Sequence, residues 1–323
     1  MSTILVIGDS PTYIKSDPFQ SQLNRSLRAL VNEGEISYHY INLGKRNLLT
    51  DIKQRCTPPS NFSRVILTMR QRVLLEKLPQ IGRLVGDCEV VLYEQDPWQA
   101  FIKGSATKGF FKSLEDHLNM KKIVVTSDFW RSELSKVLAT KIEFGRMGIE
   151  RNLTPPNPKH TFLRSSGVEF KGTLKGHRAA AFTRMSQSGL QVRVSPSDLS
   201  YKHYLAFLGN LQIFIHDESG NYDCQDSEVS RQVPRGAGLW AKELECASQG
   251  AFVIRNSHED SRSYGLESIP LVKFYDEPEN AVHVVEEIMS LSTEEIRSIQ
   301  VQSVDEIRRR DDWNQIARNL TFG

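Results

Sequence analysis

The feature that most constrains this chain is a repeated alternation between short, bare apolar runs and longer stretches with helical spacing. Ile4-Leu5-Val6-Ile7, Val65-Ile66-Leu67, Val90-Val91-Leu92 and Ile123-Val124-Val125 have strand length and no polar face. Ile36 to Ile41 adds a strand of alternating polarity. Between the strands the apolar residues recur at three and four, as in Leu23, Leu27, Leu30 and Val31, which is the spacing of an amphipathic helix. Thr126-Ser127-Asp128 heads a further helix through Leu134 and Val137, because short polar side chains accept the orphan amides of a first turn. Strands that are apolar on both sides must be covered on both faces. Strand–helix alternation provides that cover, so the pattern predicts a parallel sheet in an α/β fold.

The alternation breaks once. Asn152-Leu153-Thr154-Pro155-Pro156-Asn157-Pro158 is polar with three prolines in four positions, the composition of a linker. It then resumes with Val168-Glu169-Phe170, Val192 to Val194, Leu211 to Ile215, Ala251 to Ile254 and Val272 to Phe274, before a helical tail. A chain of 323 residues is too long for one ordinary core and suits two domains of about 150. The boundaries expected are 1–151 and 159–300, with 301–323 as a closing helix. Ligands of doubly wound sheets bind beyond the carboxyl ends of the strands, so two such domains are expected to face a cleft.

Composition removes several classes of function. Lys plus Arg number 41 against 39 Asp plus Glu, a formal charge of +2; that excludes a general nucleic-acid coat and leaves room for a local basic groove. No apolar run approaches the ~20 residues of a membrane helix, and the opening run lacks the basic flank and length of a secretory leader. The four cysteines lie far apart, without a C-x-x-C pair, so neither a disulfide framework nor a zinc site is expected. The eight histidines form no H-E-x-x-H pair, and P-loop, G-x-S-x-G and G-x-G-x-x-G motifs are absent. These absences remove the commonest metalloprotease, kinase, hydrolase and NAD-dependent readings. A cytoplasmic protein is expected, with no metal.

Three segments could carry chemistry. The first runs from Arg235-Gly236-Ala237-Gly238 into a helix bearing Lys242 and Glu245, which closes at Gly250 before a buried strand. Amides at such a helix start can hold phosphate oxygens. Lys242 and Glu245, three apart, share a helix face, which suits a phosphate and a ribose. The plainer reading is a surface ion pair and a C-terminal glycine cap. The second is Gly172-Thr173-Leu174-Lys175-Gly176-His177-Arg178, a strand exit entering a helix with two cationic side chains; a basic surface turn has the same composition. The third is Tyr93-Glu94-Gln95-Asp96-Pro97-Trp98, directly after a buried strand. Its carboxylates stand where an α/β site lies, and Asp96, with Glu94 as the spare, suits a general base. Alternatively, Asp96-Pro97 starts a turn whose Trp98 packs in the core. Asp9, Ser10 and Tyr13 at the first strand's exit, together with Trp98, are candidate acceptor or cleft residues. Arg146-Met147-Gly148-Ile149-Glu150, Ser195-Pro196-Ser197-Asp198 and His216-Asp217-Glu218 are further polar exits.

Together these segments resemble the GT-B glycosyltransferases, in which a Gly-rich turn, a helix Glu and Ala-x-x-Gly precede a strand. The resemblance implies two Rossmann-like domains facing a central cleft, and a final helix that crosses back onto the first domain through Trp313, Ile316 and Leu320. It implies a donor site made of Gly172, Lys175, Arg178, Gly238, Lys242 and Glu245, with Glu245 on the ribose. Donor phosphates in this family meet helix dipoles and basic side chains, so no tightly bound cofactor is implied beyond a nucleotide-diphosphate sugar, a UDP-sugar, as donor substrate. Retaining members carry a second Glu eight residues before the first; here that position is Ala237, which favours inversion. Motif detail is similar to the phage DNA β-glucosyltransferase type, with an Asp after the corresponding strand and a basic residue three before the helix Glu. The implied acceptor is a hydroxyl on a glycan, a lipid-linked glycan or a modified DNA base. A patch of Lys103, Lys108 and Lys112 with Phe101, Phe110 and Phe111 is the candidate DNA contact. A nucleotide-sugar epimerase or a non-catalytic nucleotide-sugar-binding protein would use the same donor site.

Overall fold

Every bare apolar run becomes a central strand. A computed structural model describes residues 2–8, 18–42, 62–68, 70–101, 105–149, 151, 154–172, 174, 176–195, 201–217 and 241–323. They fall into two units, the first from 2–148 with 313–323 and the second from 149–217 with 241–312.

In the first unit the order is β1 (Ser2–Gly8), α1 (Pro18–Asn32), β2 (Ile36–Asn42), β3 (Arg64–Thr68), α2 (Gln71–Val85) and β4 (Val90–Glu94). There follow α3 (Phe110–His117), β5 (Met120–Val125), α4 (Asp128–Ser135) and β6 (Lys141–Phe144). The described strands form one parallel sheet in the order β2-β1-β3-β4-β5-β6. Residues alternate between its faces. Leu5, Ile7, Val65 and Leu67 join a core with Leu74, Leu78, Phe110 and Leu114, while Ile4, Val6, Ile66 and Val91 face Leu23, Leu27 and Leu30 of α1. The Ser127 side chain caps α4, accepting from the Trp130 amide at 3.2 Å.

The second unit contains β7 (Ser166–Lys171), α5 (Gly176–Gln187), β8 (Arg193–Ser195), α6 (Tyr201–Leu208), β9 (Leu211–His216) and α7 (Ala241–Ser248). It continues through β10 (Phe252–Asn256), α8 (Glu259–Tyr264), β11 (Val272–Tyr275), α9 (Ala281–Ser290) and α10 (Thr293–Arg310). Its sheet is again parallel, in the order β11-β10-β9-β7-β8. No helix among the described residues is long and apolar enough to cross a membrane.

Two boundaries differ from the sequence expectation. The proline-rich stretch lies within the second unit. Among its described residues the Pro158 carbonyl accepts from Arg297 at 2.8 Å, and just beyond it the Lys159 carbonyl accepts from Arg164 at 2.7 Å. The boundary at 300 falls inside α10, which runs unbroken behind a Ser292–Glu295 capping box. The return to the first unit starts instead at α11 (Trp313–Phe322), which lies against α1 and buries Trp313, Ile316 and Leu320.

Gly148 is required where the chain leaves the first unit. A Cβ there would stand 2.3 Å from the Trp313 ring, and that indole is buried and tied to Gln22 by a 2.9 Å hydrogen bond. Overpacking against a ring that cannot shift costs about 1–3 kcal/mol. Gly148→Ala is therefore expected to lower unfolding stability by about 2 kcal/mol in urea, and an unchanged midpoint would contradict this packing.

Candidate functional site

Because all strands of each sheet run the same way, polar strand exits collect at one edge of each unit. In the first unit that edge carries Glu94, the last residue of β4. It is buried, and its Oε1 accepts from the Asp96 amide at 2.8 Å. Asp96 is half-buried. Its carbonyl accepts from Gln71 Nε2 at 3.0 Å, so the start of α2 holds the exit loop in place. Trp98 is half-buried in the 3-10 turn Pro97–Phe101 that follows. The turn and the half-buried Asp96 thus coexist; the plainer reading describes the same loop.

Burial, reinforced by the negative Asp96 nearby, pushes the Glu94 carboxyl up to about 8, against hydrogen bonds from the Asp96 amide, Gln71 and the Gln95 amide. Burial raises Asp96 to about 6, with the Trp98 side chain favouring its charged form. At neutral pH the pair therefore holds one proton, on Glu94, and Asp96 is ionised with raised basicity.

The expected DNA-contact patch is not assembled among the described residues. Phe110 and Phe111 are core side chains, and Phe101 stacks on Trp130 at 4.9 Å. Lys112 is ion-paired to Glu115 at 3.0 Å and Asp116 at 2.8 Å. Helical spacing placed the aromatics inward, which a sequence window alone does not reveal. Lys103 lies outside the described residues, as do Asp9, Ser10 and Tyr13.

In the second unit, β7 pairs with both β8 and β9, so the chain's winding reverses beside it. Crevices outside the strand ends form at such a point. Gly172 follows β7 with φ +150°, and a Cβ there would lie 2.9 Å from the Phe170 ring and 3.5 Å from Lys242 Nζ. A side chain at this position would press on the Phe170 ring, and Lys242 Nζ beside it donates to the Lys171 carbonyl at 3.2 Å. Arg178, in the first turn of α5, is buried over the Phe170 ring at 5.2 Å and donates through Nε to the Asp217 carbonyl at 2.9 Å. Gly172, Arg178 and Lys242 are thus gathered at the carboxyl ends of β7 and β9. Glu245, one turn further along α7, is buried, so it is no member of a surface ion pair. Lys175 and Gly238 lie outside the described residues.

Sequence reasoning named His216 and Asp217 only as a polar strand exit and missed Glu243, Arg255 and Tyr275, which hold this arrangement. Glu243, fully buried, joins His216 Nδ1 at 2.7 Å and Arg255 Nη1 at 2.8 Å. Tyr275 donates its hydroxyl to Asp217 Oδ2 at 2.9 Å. Burial lowers the pKa of His216 against the pull of Glu243. The available signal was Arg255 itself, a cation ending the otherwise apolar run Phe252-Val253-Ile254, since a charge in a buried strand requires a partner. Among the described residues no group of three or more His, Cys, Asp or Glu could hold a metal ion.

No family model and no curated protein matches the chain. Solved structures do. Sucrose-phosphate synthase from Thermosynechococcus elongatus superposes with a TM-score of 0.64 at 9% identity, over 99% of this chain and 97% of that one. Anabaena HepE, solved in complex with UDP-glucose, gives 0.61 at 10% identity over 99% and 98%. The DNA-modifying β-glucosyltransferase, studied with and without uridine diphosphoglucose, gives 0.58 at 10% over 99% and 100%. The chain has the GT-B fold: two Rossmann-like domains with a C-terminal helix returning to the first.

A carboxyl with a raised pKa binds a proton in the folded chain that the unfolded chain has already released, so it lowers stability as pH rises between the two values. For Glu94 that window lies between its ordinary value of 4.5 and about 8. Glu94→Gln is expected to melt increasingly above the parent from pH 5 to pH 8 in calorimetry. A difference that stays constant across that range would count against the buried, protonated Glu94.

Proposed function

We propose that the chain is a glycosyltransferase that moves a sugar from a nucleotide-diphosphate donor, a UDP-sugar, to a hydroxyl acceptor with inversion at the anomeric carbon. The observation that carries this reading is the gathering of Gly172, Arg178 and Lys242 at the point where the second sheet's winding reverses, within a GT-B fold. Two cationic side chains and a glycine that permits close approach suit a diphosphate. Glu245, on the same helix as Lys242, accepts from the ribose hydroxyls. Lys175 and Gly238, at the ends of the same loops, complete the donor set by sequence position.

Asp96 is the general base in this reading. A base poised near 6 is ionised at neutral pH yet takes a proton more readily than an ordinary aspartate. The acceptor oxygen attacks the anomeric carbon, the bond to the UDP oxygen breaks, and the acceptor proton passes to Asp96. Protonated Glu94 anchors the Asp96 amide and adds no second negative charge. Trp98 offers an apolar face beside the base, and Asp9, Ser10 and Tyr13 belong to the same acceptor side by sequence position. The donor is a substrate, and the reading calls for no tightly bound cofactor. The site serves a cytoplasmic enzyme, where nucleotide sugars are made. The likeness to the DNA β-glucosyltransferase favours a second acceptor, a modified base in duplex DNA; steep salt dependence of duplex binding would mark it.

Thermal shift against a panel of nucleotide sugars tests the donor assignment, because a ligand at 100 times its Kd stabilises by about 2.7 kcal/mol. A UDP-sugar is expected to raise Tm, and no response across the panel would refute the proposal. Asp96→Asn is expected to reduce transfer by at least about 10²-fold while UDP binding persists; transfer at the parental rate would remove Asp96 from the base role. The acid limb of kcat/KM is expected near pH 6, activity falling below it as Asp96 is protonated.

A further inference from the structure

The buried trio His216, Glu243 and Arg255 belongs to no assigned role. His216 ends β9, Arg255 lies in β10, and Glu243 stands in the first turn of α7. Both Glu243 oxygens are engaged, Oε1 with His216 Nδ1 at 2.7 Å and Oε2 with Arg255 Nη1 at 2.8 Å. The side chains of Glu243 and Arg255 have no exposed surface. Neighbouring residues on a helix differ by about 100° around its axis. Glu243 therefore points inward with Lys242 about a quarter-turn away, and two fixed hydrogen bonds to two different strands set how the first turn of α7 is rotated.

We propose that Glu243 is a positioning residue for the donor site. It locks the rotation of α7, which carries Lys242 Nζ to the Lys171 carbonyl beside Gly172. This rests on the donor assignment above. A purely structural role is a poor account of the trio. A buried ion pair gives up so much hydration that apolar side chains of equal volume are often as stabilising. What apolar side chains lack is direction. A carboxylate held at both oxygens fixes one orientation of the helix, which an apolar contact does not. The same strand ends show the same economy, with Tyr275 donating to Asp217 Oδ2 and Arg178 to the Asp217 carbonyl, so that β9, β11 and α5 are tied at one level.

The experiment measures UDP binding by titration calorimetry and steady-state transfer for the parent, Glu243→Gln, Lys242→Met and the combined variant. Glu243→Gln is expected to weaken UDP binding about tenfold and to raise the donor KM in proportion, while kcat at saturating donor falls less than about threefold. If Glu243 acts through Lys242, the combined variant loses little beyond Lys242→Met alone; additive losses, or unchanged UDP affinity in Glu243→Gln, would overturn the inference. Should Glu243→Gln fail to fold, Glu243→Met with Arg255→Met leaves no unpaired buried charge. It is expected to melt near the parent and still bind UDP weakly, and parental affinity in that variant would equally overturn it. A parent that binds no UDP defeats the donor assignment before any variant is made, and this inference with it.

Discussion

Parallel strand pairing is the constraint on which the rest of the molecule depends. β1 is hydrogen-bonded on both edges, to β2 and β3, and β7 likewise to β8 and β9. A parallel pair cannot be closed by a tight turn, so each strand must be followed by a crossover that covers a face. That requirement explains the alternating sequence and the two apolar layers of the first sheet. It also fixes where chemistry can stand. All carboxyl ends point one way, neighbouring strands lie about 4.8 Å apart, and short exit loops from three or four strands reach one another without long connections. Glu94 and Asp96 are held by Gln71 across one such gap, and Lys242 reaches Lys171 across another.

The two units treat buried charge in opposite ways. At the end of β4 the carboxyls of Glu94 and Asp96 are desolvated, and no cation is among the causes of their shifts, so both move upward. At the end of β9 the buried carboxylate of Glu243 is matched by Arg255, and His216 is held toward its neutral form. The first arrangement makes protons easy to exchange near neutral pH, which acid–base chemistry needs. The second freezes charge in place, which suits the recognition of a fixed anion. Arg164 extends that second strategy to the scaffold. Its guanidinium is buried and donates to the carbonyls of Lys159, Leu208, Leu211 and Gln249, joining the ends of α6, β9 and α7 without any carboxylate.

Much of this was legible in the sequence because parallel strands are written as bare apolar runs, and Ile4–Ile7, Val65–Leu67 and Val90–Leu92 have no other reading at that length. The places of Glu94, Asp96, Gly172, Arg178 and Lys242 were legible for a related reason, since each ends or follows a strand or lies in the first turn of the next helix. What escaped was set by three-dimensional partners. Glu243 reads as an ordinary helix glutamate until β9 and β10 supply His216 and Arg255. Phe110 and Phe111 read as an exposed aromatic patch until α3 turns them into the core. The proline run read as a linker because prolines lack amides, yet their carbonyls still accept: Arg297 uses that of Pro158, and Arg164 that of the adjoining Lys159.

Identity of about a tenth with structures that superpose over nearly the whole chain follows from the same physics. A doubly wound sheet asks each strand only to be apolar and each crossover helix only to present a stripe, and very many sequences satisfy both. Such an architecture therefore carries little information about chemistry, and fold likeness alone cannot distinguish a transferase from an epimerase or a silent binder. The distinction must rest on side chains that the fold does not require. Glycine after β7, a buried arginine opening α5 and an ionised aspartate beside a protonated glutamate are of that kind, since each costs stability or flexibility that a mere scaffold would not spend. A binder needs the first two. In the proposed reading the third serves the proton that the acceptor hydroxyl gives up.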